Sequence, residues 1–370
     1  MVKMFRLIVI FAGLIPITFI SCRKDSLDEK AVVLTKEMRL AMQAAADKIF
    51  AEYDTPGLLA VISVEGEPDY IIKRGMANLS TGEPMSEYNA FRIGSVTKTF
   101  TGTVVLLLAD QGLISLDSSI NTYLPDKNIP SGELITVRML GNMTSGLFNY
   151  SEDPSLWEPF IESGFTLVFP PDSLLAIAFR QPLNFSPGTA YEYCNTNTVL
   201  LGLLIERITG KSAGEAIRQM VLQPLKLNET YMGGAYFRAG PYTHGYCLLD
   251  DGLLDATNWN PSWGYTAGAM ISTPSDLQRW AKHLTSGTLL SEKAKAERYN
   301  TGNNSYGFAI EVARYQGHQW FGHPGLLPGY NTQLWYNPEK KVTLLIYSNT
   351  DNNAPAERLL IEMIVLLANQ

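Results

Sequence analysis

The sequence predicts an α+β fold in which an antiparallel sheet with flanking terminal helices is interrupted by a mainly helical insertion. Three observations predict it. Apolar, β-branched runs near the beginning, "GLLAVISV" and "DYIIKRGMA", indicate strands. Helical patterns dominate from about Ser95 to Leu284, and roughly the last 70 residues return to strands. Strands at both ends with helices between them indicate a sheet assembled from the two ends of the chain.

Residues 1–22 differ in character from the rest of the 370-residue chain. Lys3 and Arg6 precede an apolar run that is short for a membrane span and is interrupted by Pro16, which is typical of a signal peptide. The ending "FISC" resembles the lipobox of bacterial lipoproteins, so we expect a lipid anchor on Cys22. Plain secretion with cleavage nearby is the alternative. The prediction is therefore an exported bacterial protein, anchored to a membrane and periplasmic or at the cell surface.

Polar residues 23–34 are expected to tether this segment to a fold that spans 35–370. A helix is predicted over Lys36–Glu52 and a final helix over about Ala354–Ala368. The two early strands are separated by "EGEP", which indicates a hairpin turn. Late strands are predicted in "YGFAIEVAR", "HQWFGHPG", "YNTQLWYNP" and "KVTLLIYSN". We expect an α/β part over about 35–92 and 290–370, and a helical part over about 93–289.

Composition excludes several classes of function. The chain is 46% hydrophobic and 18% charged, as in ordinary globular proteins, and its formal charge of -7 without a basic cluster argues against nucleic-acid binding. No phosphate-binding loop and no metal-ligand spacing is present, so no cofactor and no metal are expected. If Cys22 carries lipid, Cys194 and Cys247 remain, and nothing in the sequence shows that they meet.

Ser95 and Lys98 in "FRIGSVTKTFTG" lie at i and i+3, and so share one face at the start of a predicted buried helix. A serine hydroxyl needs a neighbour that takes its proton, and a desolvated lysine amine is a competent base. The pair is equally compatible with a helix cap beside a lysine that reaches the surface.

Tyr193 and Asn195 precede another apolar helix in "FSPGTAYEYCNTNTVLLGLLIERITG". A phenol whose pKa is lowered by a nearby ammonium can shuttle protons, and an asparagine can bind a substrate amide. Tyr347-Ser348-Asn349 has the same Tyr-x-Asn form but lies in the last predicted strand, where a tyrosine usually packs. The helix-opening context favours the first copy.

His323, Pro324 and Gly325 in "WFGHPGLLPGYNT" form the third element. Gly325 allows a substrate backbone to lie close, and the next peptide N–H, on Leu326, can polarise a carbonyl. Pro324 cannot donate to a sheet ladder, so we expect a strand edge there, where extended peptides dock. Alone, the triplet is equally a turn with an incidental histidine.

In this order and spacing, Ser-x-x-Lys, Tyr-x-Asn and His-x-Gly resemble the serine β-lactamase and penicillin-binding protein superfamily. The similarity is greatest to its class C β-lactamase-like branch of DD-carboxypeptidases, D-aminopeptidases and esterases. The stretches "ITVRMLGNMTSGL", "AGAMISTPSDLQRWA" and "GHPGLLPGYNT" also resemble that branch, so the resemblance covers roughly residues 35–370. It implies an acyl-transfer hydrolase with its active site in a cleft between an α/β part and a helical part.

The resemblance also implies roles for individual residues. Ser95 would be the acylated nucleophile, and Lys98 and Tyr193 would share the proton transfers, with Lys98 lowering the pKa of Tyr193. Asn195 would position the substrate amide, and the N–H groups of Ser95 and Leu326 would form an oxyanion hole. His323 would stand where β-lactamases place a lysine. As a histidine it is expected to titrate near pH 6.5, and Pro324 lacks the hydroxyl that a threonine would offer to a substrate carboxylate.

These departures disfavour an efficient β-lactamase. The predicted function is a DD-carboxypeptidase-like or D-amino-acid-directed peptidase or amidase that acts on a small peptide, amide, ester or β-lactam. Alternatives are an esterase, a weak β-lactamase, or a sensor that β-lactams acylate and that turns over slowly. Arg314 is a candidate carboxylate ligand, although a solvated strand charge is the commoner case. Tyr150 and Tyr246 are candidate cleft residues, and packing explains them equally well. Oligomeric state is not predicted.

Overall fold

The computed structural model describes residues 32–234, 236–238, 240–249, 252–302 and 304–368. The predicted signal segment, Cys22 and most of the predicted tether lie outside these residues. The last three tether residues are described, and Val32 and Leu34 are buried, with 3% and 5% of their surface exposed. The packed fold therefore already includes Val32. None of the described helices is both long enough and apolar enough to span a membrane.

Secondary structure follows the predicted order. The helices are α1 (Lys36–Glu52), α2 (Thr97–Asp110), α3 (Ile120–Tyr123), α4 (Val137–Gly141), α5 (Pro154–Glu162), α6 (Pro171–Ala178), α7 (Asn195–Thr209), α8 (Ala213–Ile217), α9 (Tyr265–Gly268), α10 (Pro274–Ser286), α11 (Glu292–Tyr299) and α12 (Pro355–Ala368). The strands are β1 (Gly57–Val64), β2 (Tyr70–Asn78), β3 (Glu83–Pro84), β4 (Phe91–Arg92), β5 (Tyr231–Met232), β6 (Tyr246–Leu249), β7 (Gly252–Asp255), β8 (Met270–Ser272), β9 (Tyr306–Gly307), β10 (Ile310–Tyr315), β11 (His318–Leu327), β12 (Tyr330–Asn337) and β13 (Val342–Ser348).

The main sheet joins the two ends of the chain, as predicted. In the described part of the chain it has eight strands in the order β3-β2-β1-β13-β12-β11-β10-β9. The paired strands run antiparallel. Strands β1, β12 and β13 are buried along their whole length, because they lie in the middle of the sheet and are covered on both faces. The predicted α+β fold is confirmed.

One face of this sheet is closed by α1 and α12. Thr35 caps α1 by accepting a hydrogen bond from the Met38 amide at 3.2 Å. The buried residues of α1 recur at helical spacing and pack with α12 and the sheet into one apolar cluster. The buried side chains of α1 are Met38, Met42, Ala46 and Ile49.

The other face supports the helical part and the larger core. Helices α2 and α7 lie at its centre and are buried almost all round, as their continuous apolar runs predict. Within the described residues this part also contains short strands that the sequence did not predict. Strands β4, β8 and β5 form a small sheet, and β6 and β7 form a hairpin. Strands of two to four residues leave too little pattern to be recognised.

Candidate active site

Ser95 lies in a 3₁₀ turn, Gly94–Val96, that leads directly into α2. Gly94 has φ of +52°, a left-handed conformation that favours glycine. A Cβ on Gly94 would lie 2.7 Å from the Leu326 nitrogen, so this glycine also lets the turn approach β11. Ser95 is partly exposed, whereas Lys98 is completely buried. The turn thus presents one reactive side chain at the surface of a rigid core.

The Lys98 Nζ lies 2.9 Å from the Ser95 Oγ and donates to the Ala267 carbonyl oxygen at 2.8 Å. Burial lowers the pKa of Lys98 well below its ordinary value, although the charges of Cys194 and Glu311 oppose this. Burial therefore favours the neutral amine, the form whose lone pair can accept a proton from the serine hydroxyl. A helix cap with a lysine that reaches solvent is excluded by this burial.

Tyr193 completes the group around Ser95. Its hydroxyl is close enough to the Ser95 side chain to influence the pKa of Tyr193, and the Lys98 Nζ lies 4.7 Å from the centre of its ring. The prediction that a nearby ammonium lowers the pKa of Tyr193 is wrong. Burial raises this pKa well above 10, because it disfavours the phenolate more strongly than the Ser95 contact favours it. Tyr193 is consequently a neutral phenol, and Lys98 is the more competent resting base.

Asn195 is the first residue of α7, two residues after Tyr193. Its backbone N–H donates to the Asn149 side-chain oxygen at 3.1 Å, and its side-chain nitrogen donates to the Ser151 Oγ at 2.9 Å. Asn195 is partly exposed. The first bond holds the backbone of Asn195 and the second holds its side chain against the segment that precedes α5.

Strand β11 forms the opposite side. It pairs with β10 as far as Gly322, and from His323 to Leu327 it pairs with β12 alone. The predicted strand edge at Pro324 is therefore present. A Cβ on Gly325 would collide with the Ile93 carbonyl oxygen and lie 3.4 Å from the Ser95 nitrogen. Only a glycine allows this edge to approach the serine so closely.

His323 is 1% exposed, and both ring nitrogens have partners inside the protein. Nδ1 lies 2.6 Å from the Pro324 carbonyl oxygen, which can only accept, so Nδ1 carries the proton. Nε2 then accepts from the Tyr306 hydroxyl at 2.9 Å. Burial, aided by Lys98, lowers the pKa of His323 to about 3. The prediction that this ring titrates near pH 6.5 is wrong, and His323 is neutral at physiological pH.

Other candidates from the sequence make no hydrogen bond to this group within the described residues. The Tyr150 hydroxyl donates to the Trp263 carbonyl oxygen at 2.5 Å, and the Tyr246 hydroxyl accepts from the Leu79 amide at 2.8 Å, so both tyrosines pack. Arg314 is exposed on β10, three residues beyond Glu311. Cys194 and Cys247 are buried and free, and therefore do not pair with each other.

Two residues of this region were missed. Tyr306 reaches His323 from β9, and its ring centre lies 6.0 Å from that of Tyr193. Glu311 of β10 is close enough for its charge to influence Lys98. Neither residue belongs to a motif. Only the pairing of β9 with β10 and of β10 with β11 brings them to the site, and sequence spacing does not reveal that pairing.

No group of three or more histidine, cysteine, aspartate or glutamate side chains within the described ranges has an arrangement that could hold a metal ion.

Comparison with known proteins places these residues in context. A family model described as Beta-lactamase matches residues 42–368. A D-aminopeptidase of Brucella ovis is 27% identical over 326 residues, which are 85% of this chain and 60% of that protein. The esterase EstB of Burkholderia gladioli is 31% identical over 213 residues, or 55% of this chain and 54% of the esterase. This chain thus spans little more than half the length of either curated relative.

A solved structure agrees over a larger share. The D-stereospecific amidohydrolase from Streptomyces sp. superposes with a TM-score of 0.79 at 29% identity, covering 87% of this chain and 97% of that one. The similarity therefore includes both the sheet and the helical part, and all the site residues placed above lie within the matched range 42–368.

Proposed function

The chain belongs to the beta-lactamase family, and we propose that it is a serine hydrolase that cleaves amides or short peptides of D-amino acids through an acyl-Ser95 intermediate. The predicted class C β-lactamase-like fold is confirmed. The observation that carries the proposal is the 2.9 Å contact between the Ser95 Oγ and the completely buried amine of Lys98, whose pKa burial lowers well below its ordinary value.

The proposed acylation starts with this pair. Lys98 takes the hydroxyl proton as the Ser95 oxygen attacks the substrate carbonyl carbon. The N–H groups of Ser95 and Leu326 would receive the oxyanion, each contributing about 3 kcal/mol. The pairing supports this role for Leu326: residue 327 closes a two-residue hairpin with Tyr330, and the Leu326 N–H one position earlier points to the open edge.

Tyr193 acts on the leaving group. Its neutral phenol donates a proton to the departing nitrogen and recovers one from the Lys98 ammonium, so both groups return to their resting state. Water then attacks the Ser95 ester, with the same proton transfers in reverse, and releases the acid. Asn195 would hold the substrate amide from the side opposite β11.

The charges of the cleft support an amidase or aminopeptidase over a DD-carboxypeptidase. Substrates of the latter end in a carboxylate, which calls for a cation beside it. Burial disfavours the charged forms of His323 and Lys98, and Arg314 is exposed on β10. The similarity to a D-aminopeptidase and to a D-stereospecific amidohydrolase supports the same choice. Ester cleavage is the second candidate, favoured by the 31% identity with an esterase.

The test compares wild type, Ser95→Ala and Ser286→Ala, which removes an exposed hydroxyl at the end of α10. Hydrolysis of D-phenylalanine amide, L-phenylalanine amide, a D-alanyl-D-alanine peptide and p-nitrophenyl acetate is measured. We expect wild type and Ser286→Ala to prefer the D-amide, and Ser95→Ala to lose at least about a thousandfold in rate. Ester cleavage without amide cleavage would instead identify an esterase. A stable penicillin adduct on Ser95 without turnover of any substrate would identify a sensor.

A further inference from the structure

One buried tyrosine of the site belongs to none of the three motifs and takes no part in the proposed proton transfers. Tyr306 lies on β9, has 0% of its surface exposed, and its backbone N–H donates to the Asn304 side-chain oxygen at 2.7 Å. A Cβ on the next residue, Gly307, would collide with the Arg298 carbonyl oxygen, so β9 packs closely against the end of α11. This packing holds the Tyr306 backbone in place.

The Tyr306 hydroxyl donates to His323 Nε2 at 2.9 Å. Burial raises the pKa of Tyr306 well above 10, so the phenol keeps the proton that this bond needs. The other ring nitrogen, Nδ1, donates to the Pro324 carbonyl oxygen at 2.6 Å. A neutral imidazole has one donor nitrogen and one acceptor nitrogen, so both bonds specify the same tautomer. The ring is therefore held from both ends, by Tyr306 and by the Pro324 carbonyl.

The Pro324 carbonyl lies at the open edge of β11. Leu327 closes the hairpin with Tyr330, so the peptide groups of Leu327 and of every second residue before it point toward β12. Those of Pro324 and Leu326 point the other way, where β10 no longer pairs with β11. Proline has no N–H to offer. The open edge next to His323 therefore carries two carbonyls, of Pro324 and Leu326, and the Leu326 N–H.

His323 binds one of these three edge groups. Because its Nδ1–H is directed to the Pro324 carbonyl, the N–H and the carbonyl of Leu326 are the groups that the edge offers to a substrate. The edge also lies close to the turn that carries Ser95, since a Cβ on Gly94 would be 2.7 Å from the Leu326 nitrogen. With so little clearance, a change in the direction of the Pro324 peptide would move the Leu326 N–H relative to Ser95.

We propose that Tyr306 is a positioning residue of the active site. By donating to His323 Nε2 it holds the imidazole with its Nδ1–H on the Pro324 carbonyl, and this bond keeps the edge of β11 in the geometry that places the Leu326 N–H beside Ser95. Tyr306 thus acts through His323 and not on the substrate itself. The inference rests on the proposed acyl-Ser95 chemistry, in which the Leu326 N–H receives the oxyanion.

Removal of the Tyr306 hydroxyl alone tests the inference. The Tyr306 ring also contacts that of Tyr193, with ring centres 6.0 Å apart, and Tyr306→Phe retains this contact. The substrate is p-nitrophenyl acetate, whose hydrolysis does not require the protein to be an amidase. We expect kcat of Tyr306→Phe to fall about tenfold and KM to stay within about twofold of wild type, because the Leu326 N–H acts on the oxyanion and not on the bound substrate.

Tyr150→Phe is the matched control. Tyr150 is also fully buried, and its hydroxyl donates to the Trp263 carbonyl oxygen at 2.5 Å. Both variants lose one buried hydrogen bond, so their melting temperatures should fall by similar amounts. Tyr150→Phe should nevertheless keep kcat within about twofold of wild type. An equal loss of kcat in the two variants would reflect destabilisation alone and would overturn the inference.

A second comparison repeats Tyr306→Phe in a His323→Leu background, which lacks both ring nitrogens. A residue that acts through His323 has no further effect once His323 is replaced, so Tyr306→Phe should change kcat there by less than about twofold. The same tenfold loss in both backgrounds would show that the hydroxyl acts independently, and the inference would be wrong. Expected ester kinetics without any hydrolysis of D-amides would overturn only the proposed substrate class.

NMR of protein with ¹⁵N-labelled histidine observes the His323 ring without any substrate, and His323→Gln assigns its signals. In wild type, Nδ1 should carry the proton and Nε2 should not. In Tyr306→Phe the Nδ1 proton should exchange with solvent at least about tenfold faster, whereas Tyr150→Phe should match wild type. Equal exchange in Tyr306→Phe and wild type would contradict the positioning role, even for a protein that turned over no substrate or a His323→Leu variant that did not fold.

Discussion

Two segments of this chain share the form Tyr-x-Asn, and the structure gives them opposite surroundings. Tyr193 is partly exposed, lies just before α7 and contacts both Ser95 and Lys98. Tyr347 is completely buried in β13 and stacks on Phe91, with ring centres 4.0 Å apart. The same three-residue pattern therefore places one tyrosine beside Ser95 and Lys98 and the other in the core.

The difference follows from the elements that carry the two segments. β13 lies between β1 and β12, so its alternate side chains must enter one core or the other. Tyr193 precedes a helix, where the chain is not paired and a side chain can turn toward α2. Whether the tyrosine of such a motif can take part in a reaction therefore depends on its neighbours in the fold. For Tyr193 these are the buried amine of Lys98 and the hydroxyl of Ser95.

Within this comparison, the largest effect is expected when Tyr193 is exchanged for phenylalanine, and the same exchange at Tyr347 is its counterpart. Tyr193→Phe removes the proton donor for the leaving group and should lower kcat about 100- to 1,000-fold. Tyr347→Phe should leave kcat within about twofold. The Tyr347 hydroxyl is near Thr243 but makes no hydrogen bond within the described residues, so its removal should not lower the unfolding free energy.

Steady-state kinetics on one substrate and thermal unfolding of both variants provide the measurement. A large loss of kcat in Tyr347→Phe with an unchanged melting temperature would mean that the reactive tyrosine had been assigned to the wrong segment.

A second experiment compares the two regions through the pH dependence of the free energy of unfolding. Lys98 has a pKa lowered by burial, so the folded protein holds the amine neutral while the unfolded chain protonates it. Between that lowered pKa and about 10.5, the unfolded state binds one proton more, and this group makes stability increase with pH by about 1.4 kcal/mol per unit. Lys98→Met removes this contribution. The unfolding free energy of Lys98→Met should therefore exceed that of wild type most at low pH, and the difference should shrink as the pH rises.

Urea unfolding of wild type, Lys98→Met and Tyr347→Phe at several pH values from about 7 to 9.5 measures this. The phenol of Tyr347 stays neutral over that range, since burial raises its pKa well above 10. The difference between Tyr347→Phe and wild type should consequently be independent of pH. A Lys98→Met difference that is equally independent of pH would show that the folded protein holds this lysine as an ammonium.

Much of the fold could be predicted because it rests on periodic patterns. The bounds of α1, Lys36–Glu52, and of β1, Gly57–Val64, agree with the apolar spacing of those segments. The short strands β4 to β8 were missed because pairs and triplets of residues carry no period. The end of the predicted tether at Val32 and Leu34 also packs, which a polar stretch did not indicate.

The motif residues of the site could be predicted, and their protonation could not. Ser95, Lys98, Tyr193 and His323 meet as their motifs suggest. Whether Lys98 is an ammonium or an amine depends on how completely α2 is covered, and that coverage comes from distant segments. For the same reason the sequence indicated a lowered pKa for Tyr193, whereas burial raises it.

The smallest effect is expected in the titration of His323. This titration tests whether the ring belongs to the solvent-accessible cleft or to the buried core. It stands on the edge of β11 nearest Ser95, yet its burial and its two bonded nitrogens resemble the surroundings of Tyr347. With its pKa lowered to about 3, the ring should not titrate near neutral pH. NMR of protein with ¹³C-labelled histidine, in which His323→Gln assigns the signal, should show no shift of that signal from about pH 5 to 9. A midpoint near pH 6.5 would mean that the ring reaches solvent and can become cationic. The cleft would then offer a partner to substrate carboxylates, and the argument against DD-carboxypeptidase activity would lose its basis.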